Sequence, residues 1–219
     1  MRFGFVHLGR ENLGVEYLSS VLKEHGHHTS LYYDPGLFGP NDNVFYVKPL
    51  ERRFSRFHKV VRGILDDRPD YLMLSAYTNT FPWLLTVLKT VRDAGWNGKV
   101  LVGGIHATLT PEVTLRASGA DAVVVGEAEA MIMDLVDALE GGRRLADVGN
   151  IAYLDGDRVV RTPMLPAIPD LDVVPLPDKP MFEAEINYED DYMIMTGRGC
   201  PLSCTFCCEA SMNRIYKNR

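Results

Sequence analysis

A chain of 219 residues, 46% hydrophobic and 24% charged, can build one domain with a substantial core and the beginning of a second. Its formal charge of −6 argues against a nucleic-acid partner, which normally needs a concentrated basic face. No apolar run has the length of a membrane span and the apolar N-terminus lacks a cleavage site, so the expectation is a cytoplasmic protein with no membrane span.

In chain order, Phe3 to Leu8 reads as a strand, followed by the glycine-bounded turn Gly9 to Gly14. Tyr17, Leu18, Val21 and Leu22 recur at helical spacing until Gly26. Thr29 to Tyr33 is a second strand, closed by the turn signal Asp34-Pro35-Gly36. A loose glycine- and proline-containing segment follows, and then Phe54, Phe57, Val61, Ile64 and Leu65 mark a helix ending before Pro69. Tyr71 to Ser75 is a buried-strand run, and Leu84, Leu85, Leu88 and Val91 form the next helical face. Val100 to Val102 and Ala122 to Val125 are apolar strands with a helix from Thr110 to Ser118 between them. Met131, Leu135 and Leu139 lie on a last helix that stops at Gly141-Gly142.

Five strands alternating with five helices predict an α/β fold, a doubly wound five-stranded parallel sheet. Strands that are apolar throughout suit a sheet covered on both faces. Right-handed crossovers then bring the post-strand loops to one edge, so function is expected at Gly9–Gly14, Ser75–Thr80, Gly103–Thr108 and Gly126–Glu129. Gly103 and Gly104 remove side chains where a large ligand could approach the backbone. Ser75, Thr78 and Thr108 offer hydroxyls along the same edge, although Ser75 and Thr108 are as well suited to capping helices. His106 reads equally as a locally bonded loop histidine or a ligand contact.

Beyond residue 142 the pattern changes. Ile151 to Thr162 predicts a hairpin turning at Asp155-Gly156. Residues 163–180 hold six of the thirteen prolines and read as an ordered linker laid over a surface. Tyr192 to Thr196 predicts one more strand, leading into a cysteine loop.

All four cysteines fall between Cys200 and Cys208, which points to metal or redox chemistry rather than a disulfide framework. Cys200, Cys204 and Cys207 have the spacing CxxxCxxC. Thiolates at such spacing suit zinc or an iron–sulfur centre. Structural zinc would need a second pair of ligands, and a Cys204/Cys207 redox pair leaves Cys200 without a role.

The cysteine spacing, with Phe206 just before the third cysteine, resembles that of radical S-adenosylmethionine enzymes. With the N-terminal sheet, the chain resembles the front portion of the cobalamin-binding class of that superfamily along essentially its whole length. The matching positions are Leu13-Gly14-Val15-Glu16-Tyr17-Leu18, Gly103-Gly104-Ile105-His106-Ala107-Thr108 with Pro111-Glu112, and Gly126-Glu127-Ala128-Glu129. The resemblance implies a Rossmann-like cobalamin-binding domain over 1–142, a hairpin and linker over 143–190, and the first strand and cluster loop of a truncated partial TIM barrel over 191–219.

It further implies that Cys200, Cys204 and Cys207 bind a 4Fe–4S cluster whose open iron holds S-adenosylmethionine and cleaves it to a 5′-deoxyadenosyl radical. Cys208 is outside that set. The implied cobalamin contacts are Gly9, Asn12, Leu13, Ser75, Thr78, Gly103, Gly104, His106, Thr108, Gly126 and Glu127. The expected activity is of methyltransferase or cyclase type, on a small-molecule or natural-product substrate, with an electron donor such as flavodoxin or ferredoxin. No catalytic side chain is assigned.

Two positions depart from the family pattern. Ala128 stands where glycine is frequent, and Glu11 stands where the classical cobalamin motif carries its cobalt-binding histidine. No histidine ligand is therefore expected from this loop. The sequence stops twelve residues after Cys207, so the 219 residues alone are expected to bind rather than to catalyse. Arg214, Lys217 and Arg219 read as a solvated tail.

Overall fold

The computed structural model describes residues 1–39, 46–189 and 191–216. Part of the loose segment before the second helix, and Lys217 and Arg219 of the basic tail, lie outside the described residues.

The first half alternates as the apolar pattern predicts. β1 (Arg2–Leu8), α1 (Leu13–Glu24) and β2 (His28–Asp34) are followed by α2 (Lys48–Phe54), α3 (Phe57–Asp67) and β3 (Tyr71–Ser75). Then come α4 (Phe81–Asp93), β4 (Lys99–Gly103), α5 (Ile105–Leu109), α6 (Pro111–Ser118), β5 (Ala122–Val124) and α7 (Ile132–Leu139). The expected single helix around Phe54 is two helices broken at Ser55-Arg56, because Asp34 accepts the Arg56 amide at 2.8 Å and the Ser55 hydroxyl at 3.1 Å.

The sheet has seven strands in the order β2-β1-β3-β4-β5-β6-β7, which corrects the expected five. β1 to β5 are parallel, and the predicted hairpin, β6 (Ile151–Asp155) and β7 (Arg158–Arg161), extends the same sheet antiparallel to β5. Sequence reading found the hairpin but not its docking, because β5 offers its free edge only once the sheet is assembled.

Alternation along the strands divides the core. Val6, Leu72, Leu74, Val100, Val102 and Val123 face α3, α4 and α6, burying Ile64, Leu84, Leu88 and Leu115. Phe3, Phe5, Tyr71, Met73, Leu101 and Val124 face α1 and α7, burying Val15, Leu22, Ile132 and Leu135. Helices therefore cover both faces, and the chain reverses direction across the sheet between β1 and β3. That reversal opens a crevice at the carboxyl ends of these strands.

The proline-rich stretch does lie over a surface. A short helix at its end, α8 (Pro180–Glu183), inserts Phe182 fully buried against His7 and Tyr33, with ring centroids at 6.0 and 5.7 Å. Asp178 accepts from the Ser19 hydroxyl at 2.6 Å and pairs with Lys23 at 2.6 Å, pinning this strap to α1. Residues 191–208 hold no strand, so the one expected over Tyr192 to Thr196 is not formed. Tyr192 and Ile194 are exposed there, so the apolar side chains that suggested a strand find no core to enter. α9 (Glu209–Ile215) follows the cysteines.

Candidate functional site

All four loops singled out at the carboxyl edge line one cavity of about 660 Å³. Its floor is apolar, made by Phe5, Met73, Leu101 and Val124, with Val15 and Leu18 of α1 as one wall. Gly103 and Gly126 sit at the rim. Met195, Arg198, Cys208 and Met212 close it from the C-terminal side.

Asn12 is the organising polar residue of the β1–α1 loop. Its side-chain oxygen caps α1 by accepting from the Val15 amide at 3.2 Å, and its Nδ2 donates to the Ser75 hydroxyl at 3.0 Å. Ser75 therefore joins two loops rather than capping a helix. Thr108 likewise ties two loops, donating to the Gly104 carbonyl at 2.9 Å and accepting from the Gly126 amide at 2.9 Å.

Other predicted positions are placed differently. Leu13 is buried and does not line the cavity; nor does Gly9, whose backbone joins the β1 and β2 ends by donating to Asp34 at 3.0 Å and accepting from the Tyr33 hydroxyl at 2.6 Å. Gly104, at φ 90°, packs its backbone on Ala76, where a Cβ would lie 2.9 Å from the amide nitrogen. Its smallness serves that close approach even though it also reaches the cavity wall. Thr78 and His106 pair with each other at 3.1 Å outside the cavity, and the His106 ring packs tilted against Phe81, with centroids 4.5 Å apart. Partial burial lowers the His106 pKa.

Glu127 is committed to protein contacts. Its carboxylate takes Arg198 at 3.0 Å, and its carbonyl accepts from Asn150 at 3.0 Å. Glu129, present in the sequence motif but not singled out, takes the other arm of Arg198 at 2.6 Å. Burial works against the Arg198 charge, yet Glu129 and Glu127 outweigh it and hold its pKa above the ordinary arginine value.

Beside the cavity lies a buried charge cluster that sequence reading did not foresee. Lys179 reaches Glu11 at 2.6 Å, Glu16 at 3.1 Å and the Met193 carbonyl at 2.6 Å, beneath the rings of Tyr188 and Tyr192. Burial and the neighbouring Glu11 push the Glu16 carboxyl up to about 7. Burial acts on Glu11 in the same sense, but hydrogen bonds from Glu16, Lys179 and Tyr188 hold it below its ordinary value. Glu11, at the position of the classical histidine, thus turns away from the cavity into an ion pair. Lys179 and Tyr188 lie more than 160 residues from Glu11 in the chain, beyond any local sequence signal.

Cys200, Cys204 and Cys207 are half-buried in one loop, where the Cys207 amide donates to the Cys204 carbonyl at 3.2 Å. Among the described residues, no group of three or more His, Cys, Asp or Glu side chains is placed to hold a metal ion. The donor set suits an iron–sulfur cluster chemically, but its thiols are not gathered. Cys208 is exposed and lines the cavity instead. No described helix is long and apolar enough to cross a membrane.

A flavodoxin-like strand order with an apolar crevice at its switch point defines a doubly wound α/β protein, with its cavity where such sheets place their ligand sites. Residues 9–136, more than half of the chain, match the B12 binding domain, and the chain belongs to that family. It is 35% identical over 202 residues to an uncharacterized methyltransferase, PH0819, of Pyrococcus horikoshii, covering 89% of this chain and 40% of the relative. It is 34% identical over 215 residues to the anaerobic magnesium-protoporphyrin IX monomethyl ester cyclase of Rubrivivax gelatinosus, covering 94% of this chain and 36% of the relative. The chain therefore spans well under half the length of these curated relatives. Its fold is shared with the cobalamin-dependent S-adenosylmethionine radical enzyme OxsB with aqua-cobalamin and S-adenosylmethionine bound, at a TM-score of 0.73 and 21% identity over 94% of this chain and 28% of that one.

Proposed function

We propose that this chain is the cobalamin-carrying part, with the cysteine loop, of a radical S-adenosylmethionine enzyme of methyltransferase or cyclase type. The observation that carries this reading is the cavity at the switch point, which the cysteine-bearing segment itself helps to close. Membership of the B12-binding family and similarity to methyltransferases and cyclases support it.

In this reading the apolar floor of Phe5, Met73, Leu101 and Val124 receives the flat heteroaromatic base of the cofactor's nucleotide tail and excludes water from it. Asn12 and Ser75 supply polar groups at the wall, and Gly103 and Gly126 leave the backbone open to a bulky ligand. Glu11, held by Lys179, offers no cobalt ligand. Cys200, Cys204 and Cys207 are assigned to a 4Fe–4S cluster because their spacing resembles that of radical S-adenosylmethionine enzymes, and thiolates suit such a cluster. When bound, the two cofactors supply one-electron cleavage of S-adenosylmethionine and methyl or radical chemistry, with electrons from a donor such as flavodoxin or ferredoxin. The substrate is a small molecule.

The test is anaerobic reconstitution with iron, sulfide and hydroxocobalamin, then desalting, metal analysis and an absorption spectrum. Near-stoichiometric cobalt is expected, with much weaker retention of cobinamide, which lacks the nucleotide tail. Iron should be lost when Cys200, Cys204 or Cys207 is replaced by alanine. No retained cobalt would end the cobalamin reading, and iron binding indifferent to those cysteines would end the cluster assignment.

A further inference from the structure

Arg198 and Tyr216 tie the C-terminal segment that bears the cysteines to the loop after β5. Arg198 bridges Glu127 and Glu129, and each of the three side chains is only 10 to 12% exposed. Its guanidinium also lies over the Tyr17 ring of α1, at 5.4 Å from the centroid. The Tyr216 hydroxyl accepts the Glu127 amide at 2.6 Å and fills the space beside Gly126, where any Cβ would collide with it. Asn213, on the helix that leads to Tyr216, donates to the Cys200 carbonyl at 2.7 Å.

Arg198 stands two residues before Cys200, and Gly199 between them has φ 84°, a left-handed turn that glycine adopts without strain. The fork of one arginine thus fixes the direction in which the chain enters the cysteine loop. Its two carboxylate partners stand beside Gly126 in the cavity wall.

We infer that Arg198 is a positioning residue that makes the cysteine loop and the cavity wall one mechanical unit, so that filling the cavity orders the cysteines. The inference rests on the reading of the cavity as a cobalamin site. A ligand pressed against residues 126–129 favours the state in which that loop is docked, and the coupling must run both ways. Arginine suits the task because its planar fork engages two carboxylates at once, whereas lysine offers a single point charge.

Alkylation of Cys200, Cys204 and Cys207 by iodoacetamide, resolved residue by residue by mass spectrometry in the iron-free 219-residue chain, reads the coupling directly. Cyanocobalamin should slow alkylation of the wild-type thiols by roughly fivefold or more. Arg198→Ala should be alkylated faster without ligand and show no response to cyanocobalamin, with Arg198→Lys between the two. A merely structural role would leave the response to ligand intact. Equilibrium dialysis alongside separates the two ways to fail. Wild-type protein that binds no cyanocobalamin would overturn the cofactor reading and the ligand coupling built on it. Arg198→Ala thiols that behave like wild type, with and without ligand, would overturn the positioning role alone.

Discussion

β1, β3 and β4 bury side chains on both faces, and each of these strands is paired on both sides within a continuous ladder. Residues 173–206 instead leave Val173, Leu176, Ile194 and Phe206 largely exposed, and reach the sheet domain through Phe182, flanked by the partly buried Met181, Ile186 and Tyr188, and through a few charged or hydroxyl groups. The sheet is held by a non-directional effect distributed over many residues, so no single contact decides its position. The following segment is held by discrete partners, each of which can be removed on its own. That difference makes the cavity floor a fixed surface and its C-terminal wall an adjustable one.

The sharpest way to break the comparison is at its centre. Leu72 is fully buried in β3, so Leu72→Ala should lower global stability by about 2–5 kcal/mol in urea denaturation. A loss below about 1 kcal/mol would mean that the core relaxes around the deletion and is less tightly packed than described. Phe182→Ala should cost less globally, because it frees the strap rather than opening the sheet. Hydrogen exchange should show lost protection at the Phe182, Glu185 and Ile186 amides, with β3 and β4 unaffected. Equal loss of protection in β3 would show strap and sheet to be one cooperative unit.

The smallest expected effect concerns pH. Glu16, raised from 4.5 to about 7, binds a proton in the folded state that the unfolded state lacks between those values. Its contribution is full below pH 4.5 and fades as pH rises through 7. His7 is lowered from 6.5 to about 4 by burial, so its contribution is full above 6.5 and fades as pH falls toward 4. The two slopes oppose each other in the wild type. Glu16→Gln removes one, so stability should fall more steeply on acidification from pH 6.5 to 4.5, by on the order of 1–2 kcal/mol relative to wild type. Parallel stability profiles for the two proteins would show that Glu16 titrates normally.

Much of the site was legible because it sits where chain direction places it. Asn12, Ser75, Gly103, Thr108, Gly126 and Glu127 follow apolar strands, and a parallel sheet must deliver such residues to one edge. What each does there was less legible. Gly104 serves the Ala76 backbone, Thr78 and His106 satisfy each other, and Glu127 is taken up by Arg198. Arg198 and Lys179 gave no signal, since nothing local distinguishes a buried cation from a solvated one.

By itself, the sequence determined the five parallel strands, the turn at Gly156, the cavity edge and the clustering of all four cysteines in one short segment. Each follows from periodicity or from the chemistry of adjacent residues. Only the tertiary structure decided that the hairpin extends the sheet, that Tyr192 to Thr196 is not a strand, that Arg198 is held in the cavity's outer wall, and that Lys179 is buried in a charge cluster beside it. Those outcomes depend on which edge, carboxylate or carbonyl a residue meets across the fold, and such partners exist only once the sheet has formed.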